Sequence, residues 1–260
     1  MKGSMEKILT DLLWDAGEII MEQRDTQIAS RRSMSDYTTV TDMRVEAFIT
    51  QHLQRYFPES VIVGEELSSS RNSLQLKRSA FILDPIDGTV NFFHGYPAFA
   101  ISLAYVENYS IRQAYIYDPA NGEFFFAAKN EGAFLNDSPI VVSQTRTLSE
   151  SLIGFGTAYN KELGKKEIEI VAKIYERCHD VRRRGAASLD VAYVACGRLD
   201  GYLEMELKPW DFYAGLLILE EAGGKACNWN GLAIDDLVNQ NLLCTNNLIH
   251  QELFNLVREF

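Results

Sequence analysis

Hydrophobic positions along the chain alternate between a helical and an extended period. Ile8, Leu12, Ala16, Ile19 and Ile20 recur at helical spacing and predict a helix from Glu6 to about Arg31, while Val45, Phe48, Ile49 and Leu53 predict a second amphipathic helix after Asp42. Both are suited to covering a sheet. Val61-Ile62-Val63 reads as a short buried strand ending at Gly64-Glu65-Glu66. A Ser/Asn-rich loop is expected from Ser68 to Ser79, and Phe81-Ile82-Leu83 then forms a buried strand that runs into Asp84. From Phe99 to Leu135 the pattern becomes an antiparallel meander, with strands over Ala100–Val106, Ile111–Tyr117 and Phe124–Ala128 and turns at Asn108-Tyr109-Ser110 and Asn121-Gly122.

The C-terminal part returns to mixed structure. A strand over Ser151–Phe155 precedes a helix over Lys165–Cys178, and a small-residue helix over Ala186–Cys196 is closed by Gly197. A strand over Leu199–Met205 leads to Pro209-Trp210-Asp211, and a helix carrying Phe212, Leu216 and Leu219 runs until Gly223-Gly224 stops it. There is neither an internal repeat nor a low-complexity linker. The pattern predicts a layered mixed α/β chain forming one domain, with an N-terminal α+β lobe over 1–145 and a C-terminal α/β lobe over 146–260.

Length and composition agree with this pattern. A chain of 260 residues can bury roughly 70 to 75% of its unfolded surface. Its apolar fraction is 47%, and no apolar run approaches the ~18 residues needed to cross a bilayer. Met1 to Lys7 lacks the apolar stretch of a secretory leader, so a cytoplasmic location is expected. The balance of 25 basic against 36 acidic residues, a net charge of -11, argues against nucleic acid or an anionic membrane as partner.

Arg182-Arg183-Arg184 is a local exception. It reads either as a solvated helix-to-loop cluster or as a patch serving an anionic substrate or a subunit interface. Cys178, Cys196, Cys227 and Cys244 are widely spaced and read as reduced thiols, and the four scattered histidines offer no zinc-ligand spacing.

The candidate chemistry lies in Asp84-Pro85-Ile86-Asp87-Gly88-Thr89. A core strand that delivers two carboxylates three residues apart can hold a hard divalent cation, and free N–H groups at Gly88 and Thr89 can hold phosphate oxygens. Asp211, near a helix N-terminus, reads alone as a plain cap. Beside Glu65, Asp84 and Asp87 it reads as a ligand. Four acids around a small cleft repel one another and any phosphate, so cations must enter before or with the substrate.

Gly64-Glu65-Glu66, Asp84-Pro85-Ile86-Asp87-Gly88-Thr89-Val90-Asn91-Phe92 and Trp210-Asp211-Phe212-Tyr213-Ala214-Gly215 resemble the signature motifs of the inositol monophosphatase family. Asp36-Tyr37-Thr38-Thr39-Val40-Thr41-Asp42 and Gly185-Ala186-Ala187-Ser188-Leu189-Asp190 follow the same order, so the resemblance spans essentially the whole chain. It implies an α-β-α-β-α sandwich of the inositol monophosphatase/fructose-1,6-bisphosphatase type. It also implies a homodimer, and a Mg²⁺-dependent, lithium-sensitive phosphomonoesterase with two or three ions per site.

The resemblance assigns Glu65, Asp84 and the Ile86 carbonyl to one metal and Asp84, Asp87 and Asp211 to a second. It makes Glu65, Thr89 and Asp42 the catalytic set, with the Thr89 hydroxyl, held by Asp42, orienting a metal-activated water for direct attack without a phosphoenzyme. Asp87, Gly88 and Thr89 would bind phosphate. Glu204 would accept a polyol hydroxyl, with Gly185, Ala186, Ala187 and Asp211 lining the substrate site, although small residues there serve equally for helix packing and Asp42 serves equally as a helix N-terminal acid.

One position departs from the family pattern. Arg31, beside Arg32, stands where many relatives carry a lysine, which bears on substrate preference more than on chemistry. The implied substrate is inositol monophosphate or a related sugar-alcohol phosphate. Fructose 1,6-bisphosphate, NADP and adenosine 3′,5′-bisphosphate are the alternatives within the family. A regulatory interaction protein that keeps the site as a vestige is the alternative outside it.

Overall fold

The structure is a computed structural model that describes residues 2–22, 25–34, 36–66, 79–234 and 237–259. The expected Ser68–Ser79 loop lies outside these residues except for Ser79, which opens a strand. Five layers stack on one another. Helices α1 (Lys2–Glu22) and α2 (Val40–Tyr56) cover one face of a seven-stranded sheet built from β3 (Val61–Gly64), β4 (Ser79–Asp87), β5 (Ala100–Glu107), β6 (Ser110–Asp118), β7 (Glu123–Ala128), β8 (Gly132–Leu135) and β9 (Ser138–Ile140), in that order. Helices α5 (Ala187–Ala195) and α6 (Pro209–Glu221) lie on its other face and under a second sheet. That five-stranded sheet has the order β11 (Asp180–Arg182), β10 (Leu152–Phe155), β12 (Gly201–Leu207), β14 (Gln240–Thr245) and β13 (Lys225–Asn228). Helices α4 (Lys161–Tyr175) and α7 (His250–Val257) close the outer face.

The layering explains the hydrophobic patterns. α6 is apolar nearly all round because it is sandwiched between sheets: Trp210, Phe212, Tyr213, Leu217, Ile218 and Leu219 are all buried. Replacing Leu219 with Ala there should cost about 2 to 5 kcal/mol. α4 and α7 face solvent on one side and are correspondingly amphipathic. Among the described residues no helix is long and apolar enough to cross a membrane.

Several expected elements differ in the structure. The first helix ends at Glu22, because no apolar residue between Glu22 and Gln27 continues its buried stripe. Ile28–Arg31 instead forms β1, paired antiparallel with β2 (Tyr37–Thr39), and the Val40 amide donates to the Gln27 carbonyl at 2.8 Å. Asp42 lies inside α2 rather than before it, in a capping box with Thr39. The hairpin of β8 and β9 turns at Asn136 and Asp137, both with positive φ, a signal the extended run to Leu135 obscured.

The arginine run is a strand end followed by a turn, not a helix-to-loop cluster, and each guanidinium has its own partner. Arg182 pairs with Asp180 at 2.5 Å, Arg183 donates to the Thr157 hydroxyl at 3.0 Å, and Arg184 lies 3.5 Å over the Tyr193 ring.

Candidate active site

The loop ends of the two sheets meet in a cleft of about 450 Å³ whose walls include Glu65, Asp84, Asp87, Thr89, Glu204 and Asp211. β4 brings in the first two aspartates. Its pairing with β5 shifts register between Asp84 and Asp87, where Pro85 has no N–H to give to the ladder, and the released Ile86 amide donates to Asp84 Oδ1 at 3.0 Å. The strand irregularity thus turns both carboxylates out of the sheet.

Asp87 reaches the start of α5. Its Oδ2 accepts from the Ser188 amide at 2.7 Å and its Oδ1 from the Ala187 amide at 3.2 Å. The Gly88 amide also faces this carboxylate. Gly88 and Thr89, the pair expected to meet phosphate, both line the cleft beside Asp87. Gly88 sits at φ 87°, and a Cβ there would come within 2.9 Å of the Ala98 carbonyl, so both backbone and space require glycine.

Thr89 opens the short helix α3 (Thr89–His94). Its hydroxyl donates toward Asp42 Oδ1 at 3.1 Å and toward the Ile86 carbonyl at 3.0 Å. Asp42 is buried, and its Oδ2 accepts from the Thr39 amide at 3.0 Å. Burial pushes its carboxyl up to about 6, against the lowering effect of its bonds from Thr39 and Thr89.

Glu65 lies at the end of β3, within 3.2 Å of the Arg32 guanidinium. Arg32 also pairs with Glu66 at 3.3 Å and Asp36 at 2.8 Å, whereas Arg31 stacks over the Tyr37 ring at 5.2 Å. Of the two arginines it is Arg32 that faces the acids. Buried Glu46 of α2 accepts from the Glu66 amide at 2.8 Å and fixes the course of this segment. Asp211, in the first turn of α6, accepts from the Lys208 amide at 2.7 Å.

Glu65, Asp84 and Asp211 all have carboxyl groups held well above the ordinary carboxylate range. Burial is the first cause for each, and repulsion follows, from Asp211 on Glu65, from Glu65 on Asp84 and from Asp87 on Asp211. Asp87 is also raised by burial, with the bonds from Ser188 and Ala187 opposing.

Among the described residues no three acidic, histidine or cysteine side chains already converge as a finished metal cage. Each acid is instead turned to a nearby protein donor. The donor chemistry nevertheless fits Mg²⁺: carboxylate oxygens and a strand carbonyl are hard ligands, and the mutual repulsion of the four acids is what a divalent cation would relieve.

Glu204 on β12 completes the cleft. It accepts from the Tyr202 hydroxyl, and burial pushes its carboxyl up to about 8. Gly185 and Ala187 line the cleft, whereas Ala186 is buried in the core between the sheets and serves packing.

Three further residues organise the site without a role assigned from sequence. Asn91 donates to the carbonyls of Ala98 at 2.7 Å and Arg184 at 2.9 Å, tying the turn before α5 to the α3 segment. Ser188 caps Asp87, and Glu46 holds Glu66. Asn91 and Ser188 stood inside the recognised motifs. Nothing in the local pattern marked Glu46, whose contacts are 20 residues away in sequence.

The sequence profile of the inositol monophosphatase family matches residues 1–260. The chain belongs to that family. Among curated members, Nus factor SuhB of Escherichia coli K12 is 36% identical over 220 residues, spanning 83% of this chain and 82% of its own. The fructose-1,6-bisphosphatase/inositol-1-monophosphatase of Thermotoga maritima is 33% identical over 250 residues, spanning 95% and 93%. A solved family member, an IMPase/NADP phosphatase complexed with Mg²⁺ and phosphate, superposes with a TM-score of 0.88 at 25% identity, covering 98% of this chain and 95% of that one. The inositol monophosphatase family fold is thus the layered sandwich described above.

Proposed function

We propose that the protein is a Mg²⁺-dependent phosphomonoesterase that hydrolyses inositol monophosphate or a related sugar-alcohol phosphate. The observation that carries this reading is the meeting, in one cleft, of four mutually repelling carboxylates with the Thr89–Asp42 pair. Glu65, Asp84, the Ile86 carbonyl, Asp87 and Asp211 are the groups that would hold the metal ions. When bound, Mg²⁺ supplies Lewis-acid polarisation of the phosphoryl oxygens and stabilises the charge that develops on them.

The chain's own residues do the rest. Asp42, with its carboxyl at about 6, is ionised at neutral pH and keeps the Thr89 hydroxyl as a donor toward itself. The Thr89 lone pairs then accept a hydrogen bond from the attacking water and aim its oxygen at phosphorus. The water oxygen bonds to phosphorus as the ester P–O bond breaks; one water hydrogen stays on the phosphate formed and the other ends on the leaving alkoxide, which departs as the alcohol. Asp87 fixes the opening turn of α5, which sets Gly185 and Ala187 against the substrate.

Glu204, with its carboxyl at about 8, is protonated at neutral pH and can exchange hydrogen bonds with a polyol hydroxyl. Arg183, at the cleft wall, adds a cation for the anionic substrate. The name of the Thermotoga maritima relative supports a sugar or inositol ester. The homodimer usual in the family belongs to this reading, and sedimentation of the purified chain tests it.

Glu204→Ala tests the substrate class. It should weaken kcat/KM for inositol 1-phosphate at least tenfold more than for phenyl phosphate, which has no alcohol hydroxyls. Equal losses on both would remove the polyol reading.

The relative named Nus factor SuhB supports a second reading, a regulatory contact made by the same fold. With a net charge of -11, a protein surface is favoured over nucleic acid as that contact. A pull-down partner retained by Asp87→Asn would separate this role from catalysis.

A further inference from the structure

Glu167 lies on the outer helix α4, yet it is only 1% exposed. Its carboxylate bridges two parts of the cleft wall just beyond the β10–β12 pairing, whose last backbone bond runs from the Gly156 amide to the Leu203 carbonyl at 3.1 Å. Oε2 accepts from the Ala158 amide at 2.6 Å, and Oε1 accepts from the Met205 amide. Thr157 and Ala158 belong to the loop after β10 that lines the cleft, and Met205 follows Glu204 directly.

The second half of β12 cannot hold its own course. Its ladder to β14 is interrupted between Glu204 and Leu207, and Glu206 sits at φ 58°, in the left-handed region. Side chains take up amides along this stretch: Glu167 takes Met205, and Asn241 Oδ1 takes Glu206 at 3.0 Å. The loop and Glu204 are also in close contact. A Cβ at Gly156 would stand within 2.0 Å of the Glu204 carboxyl carbon, so a small shift of either segment changes the space around Glu204.

We propose that Glu167 is a positioning residue for substrate selection: by tying the Ala158 amide to the Met205 amide it sets the separation of the 156–160 loop from Glu204, and with it the fit of the alcohol part of the phosphate ester. The inference rests on the polyol reading of Glu204 given above. The carboxyl group presents one acceptor oxygen to each amide in this geometry. A glutamine places an NH₂ against one amide, donor facing donor, and an apolar residue leaves two buried N–H groups without acceptors. Burial, with repulsion from Glu206 added, pushes the Glu167 carboxyl up to about 7, against the bonds from Ala158 and Met205.

The test compares kcat/KM for inositol 1-phosphate and for phenyl phosphate, with Mg²⁺, in the wild-type protein, Glu167→Gln and the exposed control Glu169→Gln. The ratio of the two constants does not depend on how much of a variant is folded, so partial unfolding cannot imitate the effect. In Glu167→Gln the ratio should fall about tenfold, carried by a higher KM for the inositol ester, the size expected from one buried hydrogen bond replaced by opposed donors. Glu169→Gln should keep the wild-type ratio. An unchanged ratio in Glu167→Gln would overturn the proposal. Failure of the wild-type protein to hydrolyse either ester would instead overturn the polyol phosphatase reading, and this inference with it.

Discussion

The Thr89 hydroxyl stands 3.1 Å from the Asp42 carboxylate, although the two residues are 47 positions apart and belong to different helices. Their contact is what turns a helix-capping acid into part of the site. Thr39, the N-cap of α2, takes one carboxylate oxygen and Thr89 takes the other. Asp42 therefore caps α2 and holds the Thr89 hydroxyl at once.

Thr89→Ala should lower kcat by about 10² to 10³, because the orienting acceptor for the attacking water is lost, while Thr89→Ser should recover most of the activity. Steady-state phosphate release under saturating Mg²⁺ checks this. An alanine variant with wild-type kcat would remove Thr89 from the mechanism.

Asp42 also makes a prediction about stability. Its folded carboxyl, raised to about 6, binds a proton more tightly than the unfolded one. Its ionisation therefore costs stability as pH rises from the unfolded value near 4 through about 6, and the cost, up to about 3 kcal/mol, is fully present at neutral pH. Asp42→Asn should thus melt at a higher temperature than the wild type at pH 7 while losing activity. The gain should shrink at pH 4, and a variant less stable than wild type at pH 7 would contradict this reading.

His250 predicts the opposite slope. It is buried, with Nδ1 2.9 Å from the Thr245 hydroxyl and Nε2 3.6 Å from the Cys227 thiol, and burial, with Lys225 nearby, pushes it down to about 4. The unfolded imidazole takes up a proton first as pH falls. Stability contributed here is complete above about 6.5 and is lost as pH falls toward 4. Urea unfolding at pH 7 and pH 5 should show a larger loss for the wild type than for His250→Gln, and equal losses would exclude His250 as the source.

The elements legible in the sequence are those in which one periodicity dominates. The meander from Ala100 to Ala128, the Val61–Gly64 strand and the stop of α6 at Gly223-Gly224 stand where the pattern put them. The β1–β2 pair was hidden because Ile28–Arg31 is mostly exposed and carries no alternation, so only its pairing with Tyr37–Thr39 makes it a strand. In the site, Glu65, Asp84, Asp87, Thr89 and Asp211 could be read because acids at the ends of buried strands and helices are conspicuous. Glu46 and Glu167 could not. Each looks like one more polar position on an amphipathic helix, and only the tertiary arrangement shows a buried carboxylate taking backbone amides from another segment.

If the four carboxylates form a Mg²⁺ site for phosphoester hydrolysis, turnover depends on both the metal and Asp87. The most direct measurement is phosphate release from inositol 1-phosphate, with and without Mg²⁺, by the wild-type protein and by Asp87→Asn. Release should require Mg²⁺ in the wild type and fall by at least about 10³ in a folded Asp87→Asn variant. Release that is independent of Mg²⁺, or that survives in Asp87→Asn at the wild-type rate, would contradict it.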